Sequence, residues 1–288
     1  MQLKSPQTSI FVPDGLPTGE AIGRTTHMAI AAHQDDLEIM SCDGILKCFG
    51  QKDSWYLGVV VTNGSGSPRD GLYAGYSDQD MQAVRRLEQE KAAMIGEYGA
   101  MVQLMYPSSM VKSPAQQDVV NDLAVLLREA KPEVLYTHNL ADKHDTHVAV
   151  ALRVIQAIRL LPAGQRPRRL YGCEVWRDLD WLNDDEKVIF NISGHPNLAT
   201  ALLGVFDSQI CGGKRYDLAA TGRRSAHATF SQYHAVDDCT AASFAMDLTP
   251  LITDDELDIP AFIEDHIRRF NDQVINGIRR FQQEVPHA

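Results

Sequence analysis

Positive charge is what this sequence has least of. Against 38 Asp and Glu it carries 27 Lys and Arg, a formal net charge of −11 over 288 residues. That balance argues against nucleic acid or an anionic membrane as partner, because either demands a basic footprint. Cysteine is also scarce. The five (Cys42, Cys48, Cys173, Cys211, Cys239) are odd in number and scattered, with no C-x-x-C pair, which points to a reducing, cytoplasmic setting and not to a disulfide framework. No apolar run approaches the roughly 20 residues that span a bilayer. The opening "MQLKSPQTSIFVPDGLPTGEAIG" has no basic stretch followed by an apolar core, so it does not read as a signal peptide. Repeats, low-complexity tracts and a clean linker are likewise missing.

What is present is alternation. The run "THMAIAAH" has strand length, and "LEIMSCDGILKCF" has helical spacing. "SWYLGVVVTN" reads as a second strand, "MQAVRRLEQEKAAMIGEYG" as an amphipathic helix and "MVQLMY" as a third strand. A helix over "SPAQQDVVNDLAVLLREAKP", a strand at "EVLYTH" and a helix at "HVAVALRVIQAIRLL" complete the series. Strands alternating with helices predict a Rossmann-like, mostly parallel α/β sheet with helices on both faces. We read residues 1–24 as an arm packed on the domain surface, 25–165 as the core, and 166–288 as a C-terminal elaboration. The elaboration has strands at "RRLYGCEVWRDL" and "EKVIFNIS", a helix at "NLATALLGVFDSQI", an unassigned stretch 210–245 and a long terminal helix. The whole is one α/β domain.

Two clusters of polar residues follow strands. The first is "HQDDLE", with His33, Asp35 and Asp36 within four residues. Asp35 and Glu38 have the spacing of a capping box, and carboxylates suit the positive end of a helix. That reading accounts for one aspartate and leaves His33 idle. In a parallel sheet, however, ligands bind beyond the carboxyl ends of the strands. There His33 and Asp36 can turn toward one metal ion while the neighbouring carboxylate stays free as a base. A catalytic metal needs a third protein ligand. The second cluster, "THNLADKHDTH", offers His138, Asp142, His144, Asp145 and His147; its capping alternative has Thr146 or Asp145 opening the helix and His144 solvated.

With both clusters in view, the chain resembles the PIG-L/LmbE-like family of zinc-dependent de-N-acetylases. The family's A-H-P-D-D-E motif is similar to "AHQDDLE", and its D-x-H-x-D-H motif to "DKHDTH". Residues 25 to about 235 follow the family layout, including the "RRLEQEKAAMIG" helix and the "FDSQ" segment. The resemblance implies removal of an N-acetyl group from a glucosamine-type sugar by water activated on Zn²⁺. It implies His33, Asp36 and His147 as metal ligands, Asp35 as general base, and a protonated His144 assisting at the oxyanion or leaving group. A His₂Asp set also accommodates Fe²⁺, Co²⁺ or Mn²⁺. Gln34 stands where the family has proline, which loosens the turn. Thr146 stands where an acid is common, with Asp145 as its substitute, and Phe206 where many members have histidine.

The glycine-rich loop 63–80 reads as a lid over the substrate, a small-molecule N-acetylated sugar or glycoconjugate. It supplies Asn63 and Arg69 as candidate substrate contacts, with Arg85 on the next helix. Arg69 reads first as a solvated loop charge, and Arg85 equally as an exposed partner of Glu88. Trp176 and Tyr171 are candidates for stacking on a sugar ring but read first as core packing, and His227 and His234 are candidates for reaching the pocket but read first as surface residues. Two rival functions stay open: a metal-dependent hydrolase of another amide or ester, and a non-catalytic sugar- or nucleotide-binding protein. Against a dinucleotide site, "HQDDLE" replaces G-x-G-x-x-G and sets carboxylates where a pyrophosphate needs bare N–H groups. Homo-oligomers are compatible with the sequence.

Overall fold

Eight strands form one sheet in the computed structural model, which describes residues 1–282. They are β1 (Ser9–Phe11), β2 (His27–Ala31), β3 (Tyr56–Thr62), β4 (Ala100–Tyr106), β5 (Val134–His138), β6 (Arg169–Cys173), β7 (Lys187–Asn191) and β8 (Ala242–Asp247). Their order is β1-β4-β3-β2-β5-β6-β8-β7. The central five, β4-β3-β2-β5-β6, are parallel. The flanks are antiparallel: β1 on β4 at one edge, β8 on β6 and β7 on β8 at the other.

Strand parity builds two cores. In β2, Met28 and Ile30 face one side with Leu57 and Val59 of β3, beneath the helices Gln117–Ala130 and Asp145–Arg159. Ala29 and Ala31 face the other side with Val60, beneath the helices Cys42–Cys48 and Asp78–Ile95. Burial on both faces is why these strands read as continuous apolar runs. The chain lays down β2, β3 and β4 in one direction, then returns to add β5 on the far side of β2. The switch point therefore falls between β2 and β5, where a doubly wound sheet opens its crevice.

Several elements differ from the sequence reading. The arm 1–24 does more than pack on the surface, since it supplies edge strand β1 and the helix Thr18–Gly23. The helix expected after β2 breaks at Ser41, whose hydroxyl bonds Leu37 O at 2.7 Å and Tyr56 OH at 2.6 Å. "NLATALLGVFDSQI" splits into Pro196–Gly204 and Asp207–Ile210. The unassigned 210–245 contains the helix Tyr216–Phe230 and the start of β8. The terminal helix runs Ile259–Gln282; the last residues assigned to it lie outside the described residues. No helix among the described residues is long and apolar enough to cross a membrane, and all five cysteines are free.

Candidate metal centre and active site

Both clusters lie past the carboxyl ends of β2 and β5, on the two sides of the switch point. Asp36 Oδ2 accepts the His33 backbone N–H at 2.7 Å and sits 3.2 Å from His33 Nδ1. His147 Nε2 is 3.4 Å from the same oxygen and 3.2 Å from His33 Nδ1. These three atoms form a triangle. Donor atoms around a tetrahedral cation with bonds of about 2.0–2.1 Å are separated by about 3.3–3.4 Å, so the triangle has the size a divalent ion needs. Asp36 and His147 are buried. Burial alone would raise the Asp36 carboxyl, but His147, His33 and His138 around it hold it well below the usual range. Burial lowers His33 to about 4, against the pull of Asp36, leaving its imidazole neutral as a ligand must be. The donor set fits a cation.

Two histidines compete with this set: His144, with a nitrogen within 4.8 Å of those of His33 and His147, and His138. Its Nε2 lies 3.6 Å from Asp36 and its ring stacks on His147. Yet Ala32 N–H donates to that same Nε2 at 2.8 Å, so its lone pair is spent on the backbone across the β2–β5 junction. His138 braces the site; His33 completes the triangle.

The carboxylate beside His147 Nδ1 belongs to Asp142, not Asp145. Its Oδ2 lies 3.6 Å from His147 Nδ1 and accepts Trp176 N–H at 3.1 Å. The distance exceeds a hydrogen bond, but a carboxylate on that side favours the tautomer with hydrogen on Nδ1, which leaves Nε2 free for a metal. His144 caps the helix Asp145–Arg159, its Nδ1 accepting Thr146 N–H at 3.3 Å. Burial and His147 lower its pKa. With Nδ1 accepting the Thr146 N–H, the ring carries its hydrogen on Nε2, where it can donate.

Asp35 does not act as a side-chain cap. Its backbone sits at φ 91°, its carboxylate makes no capping bond, and Glu38 accepts from Tyr98 OH at 2.6 Å and Gln89 Nε2 at 2.8 Å. The capping box is absent. Asp35 Oδ2 is buried with no hydrogen-bond partner among the described residues, 3.7 Å from Arg85. Burial raises its pKa well above the usual range; Asp36, Glu38 and Glu88 add to the rise and Arg85 opposes it. Adjacent carboxylates thus have opposite environments, a pattern typical of acid–base sites.

Arg85 is buried rather than exposed beside Glu88. It donates to Gln34 O at 2.7 Å, Ser67 Oγ at 2.5 Å and Gly64 O at 3.3 Å, while Glu88 turns to Ser208. Gln34, far from loosening the turn, is buried and donates to Gln103 Oε1 at 3.1 Å. Gly64, at φ 74°, leaves room that any Cβ would take from Gln34. Replacing Arg85 by methionine strands these acceptors and Asp35, and should cost about 3–5 kcal/mol, read from the denaturant midpoint. A loss below about 1 kcal/mol would refute this bracing role.

The site opens into a cleft of about 360 Å³, enough for a small ligand. His33, Asp35, Asp36, Arg85 and His144 line its floor, and residues 63–68 form one wall. Asn63 lies there with its Oδ1 engaged by Ser65. Arg69 is outside the lining, bonded to Ser65 O, Tyr76 O and Asp78. Trp176, Lys214 and Tyr216 also line the cleft. Trp176 is therefore a cleft residue and not core, whereas Tyr171 packs on Tyr136 and Phe190. His227 is buried against Glu174, Phe206 is buried, and His234 is exposed.

Comparisons with known proteins bear on the fold and on the stretch that carries both clusters. A search of curated protein sequences finds no significant match. Among solved structures, a conserved protein from Thermus thermophilus matches with a TM-score of 0.62 at 18% identity, covering 82% of this chain and 98% of its own. The N,N'-diacetylchitobiose deacetylase of Pyrococcus horikoshii matches at 0.61 and 17%, covering 80% and 86%. The 4-carboxy-2-hydroxymuconate hydratase of Pseudomonas putida matches at 0.60 and 16%, covering 78% and 96%. At such identities the likeness is one of fold, and the fold serves more than one reaction. The family model "GlcNAc-PI de-N-acetylase", PIG-L, matches residues 28–158, the stretch that holds both clusters. Over those residues, less than half of the chain, the match is to the PIG-L family of de-N-acetylase-type hydrolases.

Proposed function

We propose that this protein hydrolyses the N-acetyl group of an amino sugar of the N-acetylglucosamine type, with a divalent metal, zinc or ferrous iron, held by His33, Asp36 and His147. When bound, such an ion polarises the acetyl carbonyl and lowers the pKa of water at the same centre. The chain's own groups supply the proton traffic. Asp35 takes a proton from the attacking water as the new C–O bond forms, then gives it to the nitrogen as the C–N bond breaks, releasing acetate and the amine. Arg85 holds Asp35 in position from 3.7 Å. His144 donates from Nε2 to the developing oxyanion.

The observation that carries this reading is the division between the two adjacent buried carboxylates. Asp36 is held ionised by imidazoles, and Asp35 is raised and left with a bare oxygen. A binding protein has no use for that division. The test is acetate release by the metal-loaded protein from a panel of N-acetylated amino sugars, run beside simple esters and other amides. Acetate with an equal yield of amine supports the proposal. Turnover confined to the esters or other amides would favour the rival hydrolase, and no turnover the binding protein.

Trp176 and Tyr216, in edge contact at 6.0 Å, offer an aromatic surface for the sugar ring. Trp176→Ala should raise KM about three- to tenfold with kcat little changed, from the ~0.5–1.5 kcal/mol of an aromatic contact. An unchanged KM would remove Trp176 from the sugar's path.

A further inference from the structure

The turn that carries Asp35 is strained, and a neighbouring helix holds it. Asp36 N–H reaches back to His33 O at 3.4 Å, closing a four-residue turn with Gln34 and Asp35 at its centre. Asp35 has φ 91° and ψ −31°, and Gln34 is not among the residues of positive φ. That is the pattern of a type II turn. Its second central position favours glycine or asparagine, so aspartate stays there only if its surroundings hold it. Types I and II share their corners and differ by rotation of the central peptide. Here the corners are His33 and Asp36, the proposed metal ligands, and the central peptide joins Gln34 to Asp35.

The helix Asp78–Ile95 grips both poles of that peptide. Its C=O accepts from Arg85 at 2.7 Å, and its N–H donates to Gln89 Oε1 at 3.2 Å. Arg85 and Gln89 are four residues apart, neighbours on one helix face. Gln89 is buried, and its amide is itself oriented. Its Nε2 donates to Glu38 Oε1 at 2.8 Å, which leaves Oε1 for Asp35. We propose, building on Asp35 as the general base, that Gln89 is a positioning residue for the hydrolysis. It holds the 34–35 peptide in the type II orientation and thereby sets the direction of the Asp35 carboxylate. With the peptide plane fixed, φ alone decides where the Asp35 Cβ points. Gln89 is not part of the cleft lining, so its effect on the reaction passes through Asp35. Rotation of the peptide would turn the base while leaving the two ligand corners in place.

The test is steady-state kinetics on the N-acetylated amino sugar that yields most acetate with the zinc-loaded wild type. Metal content and a urea titration accompany each variant. Gln89→Met keeps the side chain's length and removes both bonds. It should lower kcat about 10- to 100-fold, the scale of a misplaced reacting group, with KM little changed and metal content intact. In an Asp35→Asn background the same change should lower kcat no further, because the group it positions is gone. In a Gln34→Pro background, where the ring presets a type II turn, the loss should shrink. Gln89→Asn, too short to reach both partners, takes its place if Gln89→Met does not fold. A folded variant with wild-type kcat, beside an impaired Asp35→Asn, overturns this inference alone. So does a loss of equal size in all three backgrounds, which is what a merely structural residue gives. Full activity in Asp35→Asn, or no turnover by the wild type, overturns the reading of the site and this inference with it.

Discussion

Alanine at His33 or His147 abolishes stoichiometric metal, and Asp142→Asn weakens it without abolishing it. The ranking follows from the geometry. His33 Nδ1 and His147 Nε2 are two corners of the triangle whose third is Asp36 Oδ2, so either change removes a donor outright. Asp142 only faces His147 Nδ1, from 3.6 Å, and the loss of such a residue costs about 10–100-fold in affinity. Elemental analysis after dialysis against graded chelator measures all three. The ranking fails if Asp142→Asn loses more metal than His33→Ala, or if either alanine variant keeps one ion per chain.

Asp35→Asn lowers kcat by about 10²–10⁴-fold, the range for removal of a general base, while metal content holds. Folding stability should hold within about 1 kcal/mol or rise. No capping bond is lost, because none exists. Asparagine tolerates a positive φ better than most residues, and the φ here is 91°. The substitution also removes a carboxylate that burial disfavours and that has Asp36, Glu38 and Glu88 for neighbours. Turnover with a substrate found by the acetate screen, beside a urea titration of the same sample, separates the two effects. Full activity in Asp35→Asn would end its assignment as base. Strong destabilisation would return it to a structural role.

The parallel strands and both clusters were legible because their signals are local. Runs such as "YLGVVVT" are buried on both faces, and the polar residues that interrupt the pattern stand where the strands end. Directions of side chains were not legible. The resemblance offered Asp145 as support for the histidines, but the carboxylate beside His147 Nδ1 is that of Asp142. Arg85 and Glu88 have the separation of a helix-surface pair, and each is drawn to a different tertiary partner instead. Asp35 and Glu38 match a capping box in letters, and Tyr98 and Gln89 take Glu38 away. β1 and β8 escaped notice because neither carries a long apolar run: β1 has three residues, and β8, "ASFAMD", mixes small and polar ones. His138 is the subtlest case. A histidine among other metal-ligating residues reads as a ligand candidate, and only the Ala32 N–H shows its lone pair to be occupied.

The central claim is a metal ion seated among His33, Asp36 and His147 at the β2–β5 switch point. An anomalous-difference map at the zinc edge, from crystals grown with zinc, tests it most directly. The account predicts one peak per chain in the cleft floor, about 2.0–2.2 Å from His33 Nδ1, Asp36 Oδ2 and His147 Nε2. A peak bonded to His138 in place of His33, or no peak at the junction of the two strands, would contradict it.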